Sequence, residues 1–349
     1  MEKTFDISHS VCYTTNMEIS NPHDAFFKEI FSVKENVVDF INSTLPEELK
    51  KNLDLTTLEL DNNSYIDEEL KENFADIVYN CRYIDKTNIK VSLLFEHKSK
   101  PVKYPHLQLL RYMLKIWETN IKQKKKLVPI VPLIFYHGKK KWELRELSDY
   151  FEGIDEVLRR YLPEFNYLLT DLSCYSDEEL KEKVFINVGV KVSLLFLKNI
   201  FNKENLRKHL EEFFEIGRLY YEEERGLKFL EGVIRYIYSS TEIKPEEVRE
   251  ALKSVSEKGG EVAMTTAMKL EKKGMQKGMQ KGMQKGMQKG MQKGMQKGMQ
   301  KGLQQGEYRK AVETAKSMHN KGFDLKIIAE ITKLSIEDLK RVIHEKTNV

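Results

Sequence analysis

The stretch "IKVSLLFEHKSKP", residues 89–101, places an apolar run directly before three polar or charged side chains. The apolar residues of 91–95 predict a buried strand. Because side chains alternate along a strand, Glu96 and Lys98 should lie on one face of the sheet and His97 on the other. Either a functional site or a plain strand end that meets water explains this pattern, and the stretch alone fits both.

A second acid, Asp76, lies in the otherwise apolar stretch "FADIVY". The two stretches predict a hairpin with its turn near residues 85–88, which brings Asp76 and Glu96 to the same end of neighbouring strands. Two adjacent carboxylates repel unless they share a proton or a cation, and oxygen ligands favour Mg²⁺. A structural salt bridge between Asp76 and Lys98 is the alternative interpretation.

The composition is that of a folded protein. With 349 residues, of which 40% are hydrophobic, the chain can fill one large core and smaller additional parts. Its three cysteines form no CxxC pair, which argues against a disulfide framework or a zinc site and fits a reducing cytoplasm. The best apolar run, residues 127–136, is too short to cross a bilayer. We therefore expect a soluble cytoplasmic protein that does not contact membranes.

The order of predicted elements indicates a mixed α/β fold. An amphipathic helix, or two short ones, over residues 21–45 is followed by three strand candidates, a helix after Pro105, a buried strand within 126–138 and a candidate for one further strand at 165–173. This order predicts a mixed central sheet flanked by helices over residues 20–175. Residues 176–256 are predicted to be helical throughout, with a role in packing, oligomerisation or covering the sheet.

Positive charge is concentrated at the end of the chain. Residues 269–349 contain 19 Lys and Arg against 8 Asp and Glu, a net charge of +11, whereas the whole chain carries only +4. The preceding residues therefore carry about −7. An acidic body with a basic tail is typical of nucleic-acid binding, although a lysine-rich spacer that only confers solubility has the same composition.

Within this tail, "KGMQ" repeats seven times from Lys273 and is followed by "KGLQ", which ends at Gln304. Each glycine should cost a helix roughly 0.8–1.0 kcal/mol, and lysines four residues apart repel one another. We therefore predict a flexible, low-complexity linker over residues 257–306. A helix that packs on a partner chain through its glycines is the alternative, although a four-residue period rotates by about 40° per repeat and forms no fixed seam.

Residues 307–349 predict a small helical unit similar to a helix-turn-helix. Gly322 should end one helix, and a turn near Lys333 should separate a short helix from the last one. Ser335 and Asp338 form a capping pattern for that last helix, with Ile336, Leu339 and Val342 expected to face inward. Such units bind either DNA or other proteins.

Five pieces of the sequence, in order over about residues 20–175, resemble the PD-(D/E)XK nuclease superfamily and, within it, the recombination-promoting nuclease family, also called YhgA-like transposases. They are "PHDAFFKEIF", "FADIVY" with Asp76, "FEHKS" with Glu96 and Lys98, "HLQLLRYM" with Gln108, and "VPIVPLIFYHG" followed by Lys141 and Trp142. Ala75 replaces the proline of the family pattern, which displaces no ligand. Many relatives replace the lysine by glutamine, so the presence of Lys98 favours an intact site.

The resemblance implies a PD-(D/E)XK nuclease-like fold and a metal-dependent DNA endonuclease that acts in recombination or on mobile elements. By position, Asp76 and Glu96 would be metal ligands, Lys98 the catalytic lysine, Gln108 an auxiliary polar residue and Asp24 a further ligand. The implied metal is Mg²⁺, with Mn²⁺ or Ca²⁺ as alternatives. The implied partners are DNA and a second copy of the chain, in a dimer that makes paired cuts. A DNA-binding or assembly protein that keeps the fold without cleavage is the competing hypothesis.

Overall fold

The computed structural model describes residues 21–61, 76–84, 89–182 and 185–344, and the chain divides into two compact units, Met1–Lys272 and Lys273–Val349. The strands are β1 (Leu53–Leu60), β2 (Asp76–Tyr83), β3 (Ile89–Lys98), β4 (Ile130–Tyr136) and β5 (Leu168–Asp171). The helices before β5 are α1 (Pro22–Phe31), α2 (Lys34–Thr44), α3 (Glu47–Lys50), α4 (Pro105–Lys122) and α5 (Glu156–Arg159). The later helices are α6 (Asp177–Glu182), α7 (Val188–Asn199), α8 (Lys203–Lys208), α9 (Leu210–Glu215), α10 (Glu224–Ser240), α11 (Pro245–Val255), α12 (Glu257–Asn320), α13 (Leu325–Thr332) and α14 (Ile336–His344).

The five strands form one mixed sheet in the order β1-β2-β3-β4-β5. β1, β2 and β3 pair in antiparallel fashion, whereas β3, β4 and β5 are parallel. The parallel step from β3 to β4 needs a crossover, and α4 provides it. This arrangement confirms the mixed α/β class and the predicted order of elements. The predicted hairpin turn at 85–88 lies outside the described residues.

A separate hydrophobic core covers each face of the sheet. On one face, Phe95 and Phe135 pack with the side chains of α1, α2, α7 and α10. On the other face, Ile134 and Tyr136 pack against the apolar side of α4. Because both faces of β4 are buried, its sequence is apolar throughout rather than alternating.

The predicted helical region covers the sheet, which was one of the three roles considered for it. α7 and α10 belong to the same core as α1 and the central strands. The buried carboxylate of Asp39 in α2 accepts hydrogen bonds from the backbone N–H groups of Ile186, at 3.1 Å, and Asn187, at 2.9 Å. These bonds anchor the start of α7, whose first backbone N–H groups are capped by the Asn187 side chain.

The sequence "KW" at Lys141 and Trp142 has a structural role on the α4 side of the sheet. The backbone N–H of Trp142 donates to the carboxylate of Asp171, at 2.9 Å, and its indole N–H donates to the hydroxyl of Tyr167, at 3.1 Å. Asp171 also accepts from the backbone N–H of Ser173, at 2.8 Å. These bonds hold the segment after β4 against the end of β5.

The KGMQ repeat is helical along its whole length, as part of α12, whereas the sequence predicted a flexible linker. Three of the four residues in each repeat, Lys, Met and Gln, are good helix formers, so by intrinsic propensity only the glycine is unfavourable. A long helix also meets the cost of nucleation only once. Adding the glycine cost and the lysine repulsion residue by residue therefore overestimated the tendency of residues 273–304 to be unfolded.

The C-terminal unit has the predicted helix-turn-helix order. α13 and α14 pack on the end of α12 through Ala315, Ile328 and Leu339. Lys333 adopts a left-handed conformation with φ 57° at the turn, and the Ser335 hydroxyl accepts the backbone N–H of Asp338 at 3.0 Å. Leu339 and Val342 are buried as expected, whereas the expectation that Ile336 faces inward was wrong, because it is 44% exposed. Within the described residues, no helix combines the length and apolar character needed to cross a membrane.

Candidate functional site

The predicted acid and lysine lie together at the carboxyl end of β3. Glu96 is 1% exposed and Lys98 is 9% exposed, and their side chains form an ion pair. Both lie on the face that α4 covers, whereas His97 packs against Phe27 of α1 on the opposite face. The alternation predicted from the sequence is therefore present, and the two charges are almost fully withdrawn from water.

Gln108 supplies a polar contact from the first turn of α4. Its side-chain amide donates to Oε1 of Glu96 at 3.0 Å, and it also lies 3.4 Å from the hydroxyl of Tyr112. The structure therefore brings Glu96, Lys98 and Gln108 together, as predicted. These contacts use only one of the two carboxylate oxygens.

The second oxygen of this carboxylate, Oε2 of Glu96, is buried and has no hydrogen-bond partner among the described residues. Buried carboxylate oxygens are normally hydrogen-bonded, because removing such a charge from water costs several kcal/mol. An unpaired, buried oxygen beside an ammonium group is therefore a position that a cation or a polar substrate group would stabilise.

Asp76 begins β2 directly opposite Glu96. The two residues are paired in the antiparallel register, with Ile77 opposite Phe95 at the next position. This confirms the prediction that Asp76 and Glu96 lie at the same end of neighbouring antiparallel strands. The side chain of Asp76 lies outside the described part of the structure.

Asp24, which the family resemblance implies is a further metal ligand, forms a hydrogen bond with His97. Its carboxylate accepts a hydrogen bond from Nδ1 of His97, at 2.6 Å, and also contacts the side chain of Asn21. Burial raises the pKa of Asp24 to about 6, although the positive charge of Lys98 opposes this shift. The charge of Lys98 therefore acts on the Asp24 carboxylate, but the hydrogen bond of this carboxylate is to His97.

A second histidine extends this contact into a buried chain. Burial lowers the pKa of both His97 and His137 well below the usual value, so both rings are neutral. Since Nδ1 of His97 donates to Asp24, its Nε2 must accept, and it accepts from Nδ1 of His137 at 3.0 Å. The same His137 N–H lies 3.2 Å from the carbonyl oxygen of Lys98. The chain therefore holds β3 at His97 and Lys98, directly after Glu96.

His23 completes the polar cluster behind β3. Its Nδ1 lies 2.8 Å from the hydroxyl of Tyr236 in α10, and its ring lies 5.2 Å from that of His137. Burial lowers the pKa of His23 and raises that of Tyr236. Sequence reasoning did not identify His137 or Tyr236 as part of the site. The signals for His137 were its position directly after a buried strand and its place in the family piece "VPIVPLIFYHG", whereas Tyr236 had none.

The residues fit a divalent cation at one position. Glu96 offers a carboxylate oxygen without a described partner, and Asp76 is the residue in register with it. Carboxylate oxygens are the ligands that Mg²⁺ prefers. Among the described side chains there is no cluster of three or more His, Cys, Asp or Glu residues with metal-binding geometry. Asp76 would supply the second carboxylate of such a site.

These features define a mixed α/β protein whose candidate site combines a buried acid, a lysine and an amide at the end of a central strand. A family model described as "Putative transposase, YhgA-like" matches residues 21–228, which is more than half of the chain. The chain therefore belongs to the YhgA-like family, and the match covers the sheet, α4 and every residue of the candidate site except Tyr236.

Curated relatives carry related names. The chain is 28% identical over 171 residues to the recombination-promoting nuclease RpnD of Escherichia coli O157:H7, which is 48% of this chain and 64% of the relative. It is 31% identical over 169 residues to the inactive recombination-promoting nuclease-like protein RpnE of Escherichia coli K12, with 48% and 56% covered. It is 28% identical over 164 residues to the recombination-promoting nuclease RpnA of the same strain, with 47% and 56% covered.

The chain thus spans 56–64% of the length of these curated relatives. No solved structure matches it.

Proposed function

We propose that this protein is a metal-dependent DNA endonuclease that hydrolyses phosphodiester bonds in DNA recombination or in the movement of mobile elements. The observation that carries the proposal is the buried carboxylate of Glu96, which has one oxygen without a described partner and lies beside Lys98 at the end of β3. The names of RpnD and RpnA, recombination-promoting nucleases, support the same activity.

Asp76 and Glu96 would hold the metal, with Mg²⁺ as the first choice and Mn²⁺ or Ca²⁺ as alternatives. When bound, such an ion stabilises negative charge on a phosphate and makes a bound water more acidic. The PD-(D/E)XK fold of the family resemblance is part of this proposal.

The remaining roles belong to the chain itself. Lys98 would orient the attacking water and neutralise charge that develops on the phosphate in the transition state. Gln108 holds the Glu96 carboxylate from α4, through the 3.0 Å bond, and thereby fixes the direction in which the other oxygen points. The chain from His137 through His97 to Asp24 keeps the end of β3 rigid from the opposite face.

The experiment is plasmid nicking by the purified protein in Mg²⁺, Mn²⁺, Ca²⁺ or EDTA. We expect conversion of supercoiled to open-circular or linear DNA that depends on the metal. Glu96→Gln and Lys98→Ala should lower the rate by at least about 100-fold, since each removes a charge used in the transition state. Glu29→Gln, an exposed acid paired with Arg235, is the matched control and should cut like the parent. Cutting at the parental rate by Glu96→Gln would refute the site.

A second candidate function is a DNA-binding or assembly protein that does not cleave. The relative RpnE, whose name calls it inactive, supports this alternative for the family. An electrophoretic shift of DNA with no cleavage in any of the metals would favour it. The presence of Asp76, Glu96 and Lys98 together favours the nuclease over this alternative.

We further propose that the nuclease acts in the cytoplasm as a homodimer, because two sites in one particle can cut both strands of a duplex. Light scattering during size-exclusion chromatography should then give twice the mass of the 41.1 kDa chain. A mass of one chain under conditions in which the protein cleaves both strands would refute the dimer.

A further inference from the structure

The lysine-rich part of α12 contains no acidic residue in its sequence. We define the basic arm as Lys273–Lys301, which lies entirely within the second compact unit. It contains eight lysines, all exposed, and there is no Asp or Glu between Glu271 and Glu307. Elsewhere, some exposed lysines pair with an acid one helical turn away, as Lys228 does with Glu224 at 2.7 Å. Acids at that spacing are absent from the sequence of the arm.

This arrangement is costly for an isolated helix. Each lysine follows another at four residues, the spacing at which like charges repel on a helix surface. The glycine positions have open space around them, with nothing within 4 Å of the position of an added Cβ at Gly278, Gly286 or Gly294. A polyanion lying along the arm would remove the repulsion between lysines, and nothing at the glycines would obstruct its approach.

The geometry of the repeat excludes two other classes of partner. Lysine and methionine are two residues apart in each repeat, so they lie about 200° apart around the helix, and both positions rotate by about 40° per repeat. The methionines are accordingly exposed along the whole arm, each by 69–78%. A rotating apolar stripe provides neither the continuous face that an interfacial membrane helix needs nor the constant seam of a coiled coil.

We propose that the basic arm binds the phosphate backbone of duplex DNA without reading its sequence. Lysine ammonium groups are point charges that satisfy phosphates, and the arm contains no arginine that could contact a base in bidentate fashion. The choice of DNA rather than another polyanion rests on the proposed function, whose substrate is DNA. The arm would then hold the duplex that the nuclease unit cuts.

The rotation of the lysines around the helix limits how many of them one duplex can contact, and this number sets the salt dependence of DNA binding. Over the arm, the eight lysines turn through about 280° and extend over about 42 Å. A duplex on one side can contact those within about half a turn, which is about five. Each neutralised phosphate contributes about −0.9 to the slope of log K against log salt. The arm should therefore contribute about −4.5 to that slope.

The test is fluorescence anisotropy of the full chain with a labelled, mixed-sequence 30-bp duplex, in EDTA, between 50 and 200 mM NaCl. The variant replaces all eight arm lysines by glutamine, which preserves length and helix propensity. The control replaces the same eight by arginine, which preserves charge. Between these two salt concentrations, the Kd of the parent should rise about 500-fold more than that of the glutamine variant. The arginine control should behave like the parent, and circular dichroism should show equal helix content in all three.

Three results would overturn the proposal. The first is an unchanged Kd and salt slope in the glutamine variant. The second is a duplex RNA of equal length that binds the parent more than tenfold more tightly than the DNA does. The third is a fall in molecular mass, measured by light scattering, that accompanies the loss of DNA binding and would make the arm an assembly element.

The outcome is separable from that of the nuclease proposal, because binding is measured in EDTA. If the parent protein cuts no DNA in any metal but its salt slope depends on the arm lysines, the nuclease proposal is refuted and the proposal that the arm binds DNA stands. A protein that cuts DNA while the glutamine variant keeps the parental slope would refute the arm and leave the nuclease.

Discussion

The carboxylate of Asp24 in α1 lies 2.6 Å from Nδ1 of His97, the residue between the two charged groups of the candidate site. His97 is completely enclosed, and its ring stacks on that of Phe27 at 4.7 Å. Position and hydrogen bonding of this ring therefore depend on α1, although the site faces α4. We infer that these contacts, on the face of β3 opposite α4, help to hold Glu96 and Lys98 in place.

The first prediction concerns this contact. Asp24→Ala leaves a buried N–H of His97 without its acceptor, so we expect it to lower the free energy of unfolding by about 1–3 kcal/mol. Asp24→Asn retains an acceptor oxygen and should cost less. Urea unfolding monitored by circular dichroism measures both values.

The same pair of variants separates a positioning role from metal binding. If Asp24 acts only through His97, Asp24→Asn should retain cleavage within about tenfold of the parent, whereas Asp24→Ala should lose more, because a shift of the site by about 1 Å costs about 100-fold. Equal and complete loss of cleavage in both variants, with folding retained, would instead make Asp24 a metal ligand.

The second prediction concerns divalent metal. A cation that binds only the folded protein stabilises it, by about 2.7 kcal/mol at a concentration of 100 times its Kd. Saturating Mg²⁺ should therefore raise the Tm of the parent by several degrees relative to EDTA, as measured by differential scanning fluorimetry. Glu96→Gln should lose most of this rise, because it removes a charged ligand.

The control for this measurement is Glu29→Gln, which removes an exposed acid in the same unit and should retain the full shift in Tm. A shift of equal size in Glu96→Gln and in the parent would show that Mg²⁺ binds elsewhere. Because the measurement needs no DNA, it tests the metal site independently of cleavage.

The sequence predicted the parts of the site that depend on local geometry. Alternation along β3 was enough to place Glu96 and Lys98 together and His97 opposite, and the hairpin arithmetic paired Asp76 with Glu96. Both conclusions follow from the two-residue period of a strand and need no information about the rest of the fold.

The hydrogen bonds among Asp24, His97 and His137, and that between His23 and Tyr236, were not predictable in the same way. His97 and its partners are separated by 40 residues for His137 and by 73 for Asp24, and 213 residues separate His23 from Tyr236. No local period relates such residues, because their proximity results from the packing of α1 and α10 on the sheet. The helical KGMQ segment was missed for a different reason, since propensities were summed residue by residue although helix formation is cooperative.

The third prediction concerns the pH dependence of stability. Burial alone would raise the pKa of Asp177, but hydrogen bonds from Lys198 and Asn199 outweigh it and hold this pKa below the usual value of 3.8. A lowered folded-state pKa gives stability that is present above pH 3.8 and is lost as the pH falls through the folded value. The advantage of the parent over Asp177→Asn in urea unfolding should be largest at pH 5–7 and should shrink below about pH 3.8.

Glu178→Gln is the control, because Glu178 is the next residue of α6 and is exposed. It should leave the pH profile of stability close to that of the parent. An advantage of the parent over Asp177→Asn that stays constant down to about pH 2 would show that the ion pair with Lys198 contributes nothing to stability.

The fourth prediction concerns Gly226, in the first turn of α10. A Cβ at this position would lie 1.7 Å from the carbonyl oxygen of Tyr220 and 2.5 Å from its carbonyl carbon. These are backbone atoms, so the clash can be relieved only by moving α10, which also carries Tyr236 of the polar cluster. We expect Gly226→Ala to lower the free energy of unfolding by more than about 2 kcal/mol.

Gly259→Ala is the matched control, since a Cβ there would meet only side-chain atoms, the methyl groups of Leu230 and Leu252 at 3.3 Å and Cβ of Ser256 at 3.4 Å. The helix-propensity gain of up to about 1 kcal/mol should offset that contact, so its stability should stay within about 1 kcal/mol of the parent. Because α10 presents Tyr236 to His23, Gly226→Ala should also slow cleavage, whereas Gly259→Ala should not. If Gly226→Ala were as stable as the control, the close approach of α10 to the backbone of Tyr220 would be wrong.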